Sequence, residues 1–128
     1  MQKQIALVMR QRFVGEAIAD RLRVQNNCVP HVIFDFAYAL GYCRDFRPDL
    51  VLIEISDATA DSFEQALALS KAFEGRFPQC KRMLFISQSD RKALLEQAVR
   101  AKQNNRIDGF VTADAGIEYV IASIQATA

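Results

Sequence analysis

The stretch 48-PDLVLIEISD-57 decides the fold. Pro48 and Asp49 make a turn, and Leu50, Val51, Leu52 and Ile53 then run apolar without alternation until an acid, Glu54, stops the run. Four apolar residues bounded by a turn predict a strand buried on both faces, as in a parallel sheet covered by helices. The carboxyl ends of such strands line the crevice of an open α/β sheet, where function concentrates. A carboxylate in that place calls for a reason.

Working outward, apolar strand runs alternate with helical stripes. Gln4–Met9 predicts a first strand, and Val14, Ala17, Ile18, Arg21 and Leu22 then fall at helical spacing before the turn residues Asn26 and Asn27. His31–Phe34 predicts a second strand, and Ala37–Phe46 a short helix weakened by Gly41 and stopped by Pro48. After the quoted strand, Asp61 or Ser62 caps a helix with Phe63, Ala66, Leu67, Ser70 and Phe73 on one face and Gly75 at its end. Met83–Ile86 predicts the fourth strand, and Asp90 caps a helix with Leu94, Leu95, Ala98 and Val99 inward. Gly109–Thr112 predicts the fifth strand, and Asp114 precedes a helix burying Ile117, Val120, Ile121 and Ile124. Five strand–helix units with right-handed crossovers predict one domain over residues 1–128, a flavodoxin-like doubly wound α/β sandwich with a parallel sheet ordered 2-1-3-4-5.

Composition narrows the function. Sixteen Lys and Arg against fifteen Asp and Glu give a net charge of +1, which argues against direct binding of nucleic acid or a membrane surface. The N-terminus is too interrupted by charge for a signal peptide or a spanning helix, and the expected location is the cytoplasm. Cys28, Cys43 and Cys80 are odd in number and widely spaced, so they predict reduced thiols rather than a zinc site or disulfides. The single histidine, His31, reads as an edge-strand residue, and isolated Gly15 and Gly41 make no phosphate loop. Arg76, Lys81, Arg82, Arg91 and Lys92 read as a solvated basic face.

Over about residues 4 to 125 the chain resembles the response-regulator receiver domain of bacterial two-component phosphorelays. Pro48–Ile53 is similar to the run leading into that family's phospho-acceptor aspartate, and Asp61-Ser62-Phe63 stands at the start of the third helix. Ser87 matches the hydroxyl that reads the phosphoryl group, and Phe110 matches the aromatic that reports the switch. The resemblance implies a crevice holding a reactive aspartate, two acids for Mg²⁺ and a lysine. Here the phospho-acceptor position is Glu54, the acid pair is Met9 and Arg10, and the lysine position is Ala113. Met9 offers no oxygen to a hard cation and Arg10 repels it. Shifting the register brings in Gln11 or Asp57 without restoring the set, and Asp108 and Asp114 do not replace a lysine.

Two readings of Glu54 follow: a solvated acid at a strand end, or the partner of the Arg10 guanidinium across neighbouring strands. For Ser87 and Phe110 the plainer reading is packing. The expectation is a pseudo-receiver that is not an enzyme, takes no metal or cofactor, and works by protein contact without aspartyl phosphorylation. Its partners are a second copy, through the fourth helix, fifth strand and fifth helix with Tyr119, Ala122 and Ala126, and a fused or separate output domain in transcription or other regulation. The rivals are a ligand-sensing module, for a cyclic dinucleotide for example, and a phospho-acceptor using Glu54 or Asp57. The polar segment Arg100–Arg106 reshapes the surface or extends the fourth helix.

Overall fold

The structure, a computed structural model, describes residues 2–55, 60–87 and 92–128. Asp57, the cap Asp90 and Arg91 lie outside them. Five strands form one parallel sheet: β1 (Lys3–Val8), β2 (Cys28–Ile33), β3 (Leu50–Ile55), β4 (Lys81–Ile86) and β5 (Gly109–Thr112). Their order is β2-β1-β3-β4-β5, as the sequence predicts. All six residues of β3 are buried, the pattern of a central strand covered on both sides.

The helices are α1 (Arg12–Arg23), α2 (Ala39–Tyr42), α3 (Ala60–Arg76), α4 (Lys92–Gln103) and α5 (Ile117–Thr127). Strand pleating divides the core in two. Ala6, Val8, Val51, Ile53, Leu84 and Ile86 face α2, α3 and α4, while Ile5, Leu7, Leu50, Leu52, Met83 and Phe85 face α1 and α5. Glu54 follows Leu50 and Leu52 by twos, so the pleat turns it towards α1 and α5.

Several boundaries move. The run Ala37–Phe46 makes only a 3-10 turn (Phe36–Tyr38) and the single turn α2, consistent with Gly41 inside it. In α1 the buried stripe is Gly15, Ile18, Ala19 and Leu22, and Ala17 is exposed. Gly15 belongs to it because a Cβ there would stand 3.0 Å from Cγ of Met9, whose side chain fills that space. Asp61 lies within the first turn of α3 rather than before it, and Gly75 is its penultimate residue. In α4, Ala101 takes the inward place expected of Val99, which is 42% exposed.

The segment after α4 resolves as an extension of the helix with a defined stop. Asn105 adopts φ 60, its amide bonds the Lys102 carbonyl at 3.1 Å, and Arg106 bonds that of Ala101 at 2.8 Å. That is the Schellman closure, with asparagine in the left-handed position. Arg82, expected on a solvated face, is buried beneath this loop. Its Nη1 donates to the Arg106 carbonyl at 2.8 Å and to Ser70 Oγ at 3.3 Å, and its Nε lies 3.6 Å from Asp108. A buried guanidinium needs such partners, and here they tie α3, β4 and the α4–β5 loop together.

Candidate functional site

At the carboxyl end of the sheet Glu54 is the penultimate residue of β3, paired with Phe85 of β4. It is 1% exposed, which removes the solvated-acid reading. The Arg10 guanidinium does not reach it either. The side chain lies instead with Cζ 4.1 Å from the centre of the Phe36 ring and Nη2 3.3 Å from Gln65 Oε1. What meets Glu54 is the main chain: Oε1 accepts from the amide of Arg10 at 2.7 Å and from that of Gln11 at 3.0 Å.

The reason is local. Gln11 is the N-cap of α1, gives no side-chain cap, and the first turn of α1 contains no acid. The exposed amides at a helix start carry partial positive charge and want an acceptor. Glu54 supplies it from the neighbouring strand to the two amides that lead into α1, those of Arg10 and of the N-cap Gln11. Its second oxygen, Oε2, is buried and has no hydrogen-bond partner among the described residues. The sequence carries no sign of this arrangement, because the donors are backbone amides.

The other positions surround that junction. Met9 is wholly buried among the residues facing α1 and α5. Ser87 follows β4; its hydroxyl donates to the Ile55 carbonyl at 3.2 Å and accepts from Gln11 Nε2 at 3.1 Å. Gln11, reached in the sequence only by a register shift, therefore bridges the ends of β1, β3 and β4. Phe110 is half-buried against the core, and Ala113 is exposed beside an apolar groove lined by Phe13, Val14, Ile117 and Val120. A second cation–π pair, Arg12 over Phe34 at 4.3 Å, holds the start of α1 against the end of β2.

Remaining candidates fall elsewhere. His31 stacks on Phe46 with centroids 3.7 Å apart, bonds Gln4 Oε1 at 2.7 Å, and burial lowers its pKa. All three cysteines are free and buried, and burial pushes the thiols of Cys43 and Cys80 up to about 12. Tyr119, Ala122 and Ala126 lie on the outer face of α5, Tyr119 at 58% exposure. Among the described residues no group of three His, Cys, Asp or Glu side chains could hold a metal, and no helix is long and apolar enough to cross a membrane.

No protein-family model matches the sequence, and no curated protein does. Solved structures do match. A response regulator from Thermotoga maritima is 16% identical, with 99% of this chain and 98% of that one covered and a TM-score of 0.78. The fold is that of a receiver domain. A LuxR-family DNA-binding response regulator from Staphylococcus aureus is 14% identical over 98% of each chain, with a TM-score of 0.74. The signal receiver domain of a modulated diguanylate cyclase from Desulfovibrio desulfuricans G20 is 21% identical, covering 99% of this chain and 94% of its own, with a TM-score of 0.69.

Proposed function

We propose that this receiver fold serves as a degenerate, non-enzymatic signalling domain that acts by protein–protein contact without aspartyl phosphorylation. The observation that carries the reading is Glu54. Its carboxylate sits where the resemblance puts the phospho-acceptor, yet one oxygen is engaged by two amides of the β1–α1 junction and the other is buried. A nucleophile needs an accessible oxygen aligned on its donor, and small displacements from that geometry are costly. The neighbouring positions do not fit Mg²⁺, which wants several oxygen ligands: Met9 is packed into the core and Arg10 brings a cation. Ala113 supplies nothing to hold phosphoryl oxygens.

On this reading the junction that a phosphorylated receiver would reorganise is held permanently by Glu54, and output depends on who binds the surface. A second copy docking on the outer face of α5, through Tyr119, Ala122 and Ala126, is the contact proposed, with a fused or separate output domain downstream. Acetyl phosphate with Mg²⁺, followed by intact-mass measurement, is the test. No phosphoryl adduct is expected, and a stoichiometric adduct on Glu54 or Asp57 would overturn the reading.

A further inference from the structure

We infer that the end of the sheet opposite Glu54 carries a nucleotide-binding site. The segments entering β3 and β4 enclose a pocket of about 420 Å³, walled by Pro48, Phe77 and Pro78. Three arginines line it: Arg44, Arg47 and Arg76. None of their side chains has a hydrogen bond or ion pair with a described residue. The carboxylate in the lining, Asp49, already accepts the Gln4 amide at 2.7 Å. Three cations thus share one pocket with a single, engaged anion.

The α3 dipole accounts for Arg76, which stands in the last turn of that helix. Arg44 and Arg47 lie beyond α2 and have no such account. Arg47 is held at φ 53, closing a turn through its amide to the Cys43 carbonyl at 3.0 Å. L side chains rarely adopt that conformation, glycine would take it freely, and such outliers gather at ligand sites. Arginine is the side chain whose planar fork matches phosphate oxygens in pairs.

A second pocket adjoins the first through Arg44 and is lined by Tyr38, Gly41 and Tyr42. The two tyrosines are 66% and 60% exposed, four residues apart on one short helical stretch. Exposed aromatic faces beside guanidiniums are platforms on which a base stacks. Phosphate against the arginines and a base on a tyrosine describe one ligand, a nucleotide. The arginine pocket lies at the end of the sheet opposite Glu54, and the site does not depend on how Glu54 is read.

Isothermal titration of the whole chain with ADP, pyrophosphate, adenosine and a single-stranded oligonucleotide tests it, with thermal unfolding of each variant alongside. Saturable binding of ADP is expected, at least tenfold tighter than pyrophosphate or adenosine. Arg44→Gln and Arg76→Gln should each weaken ADP about tenfold or more, about 1.4 kcal/mol. Arg47→Gly should weaken it as much while leaving the unfolding midpoint unchanged or higher, and Arg100→Gln on α4 should change nothing. No saturable binding of ADP up to about 10 mM, weaker than about 3 kcal/mol of affinity, overturns the site. Pyrophosphate binding as tightly as ADP would reduce it to a bare anion patch, and a tighter oligonucleotide would reassign it to a polynucleotide, so both also overturn the nucleotide.

Discussion

Glu54 is buried as an acceptor rather than as a member of an ion pair, and that changes what its substitutions do. Glutamine keeps an oxygen for the amides of Arg10 and Gln11 but puts an NH2 donor where Oε2 has no partner among the described residues, so Glu54→Gln should cost about 1 kcal/mol, less than alanine. Alanine leaves both amides without their acceptor at the start of α1, and should cost about 2–3 kcal/mol in urea unfolding. Arg10→Met should be additive with either, because the guanidinium lies on Phe36 and Gln65. Glutamine costing as much as alanine, or strong coupling to Arg10, would show that the charge matters more than the acceptor. At this scale the sequence was least legible. It placed Glu54 at the end of β3 but showed neither its burial nor its partners, since main-chain donors leave no residue type to read. Gly15 was hidden for a related reason: a missing side chain signals nothing until Met9 is seen to fill its place.

Two aspartates close the opposite end of the sheet by the same device. Asp49 precedes β3 and its carboxylate takes the Gln4 amide of β1 at 2.7 Å; Asp108 precedes β5 and takes the Arg82 amide of β4 at 2.8 Å. Each also donates its own amide to the carbonyl of the residue it caps, at 2.7 Å in both cases. The Pro48–Asp49 turn that announces β3 is thus a strand clamp, which gives that part of the resemblance a structural meaning independent of phosphorylation. Asp49→Ala should cost about 1–3 kcal/mol. Asp108→Ala should cost more, because Arg82 loses a carboxylate as well. Arg82→Ala should cost about 3 kcal/mol or more by stripping the buried donors from the Arg106 and Asn105 carbonyls. Urea midpoints decide the order, and an Arg82→Ala effect within about 1 kcal/mol would mean the loop reorganises without it. The strands themselves were legible because buried parallel strands are unbroken apolar runs. Arg82 was not, because a basic residue opening a strand looks alike in local sequence whether it is solvated or roofed by a loop 24 residues further along the chain.

For the whole molecule, the sheet order followed from the alternation of strands and helices, while the proposed contact surface is the outer face of α5. The buried stripe of α5, Val120, Ile121 and Ile124, is spent on the core, leaving Tyr119, Ala122 and Ala126 along a separate outer stripe at intervals of three and four residues. An aromatic beside small residues allows close approach of a second helix, with the ring supplying contact area. A competing apolar surface lies on the side of α5 facing α1, where Phe13 is 89% exposed beside a groove of about 310 Å³. The two surfaces separate cleanly by mutation. Light scattering at rising concentration should give a dimer that Tyr119→Arg weakens by tenfold or more, since an unpaired guanidinium would have to be desolvated in the contact, at a cost of about 1–3 kcal/mol. Phe13→Arg should leave that dimer intact. Loss of the dimer with Phe13→Arg alone would move the interface to the α1–α5 groove, and a mass that stays monomeric into the high-micromolar range would remove self-association from the proposed function.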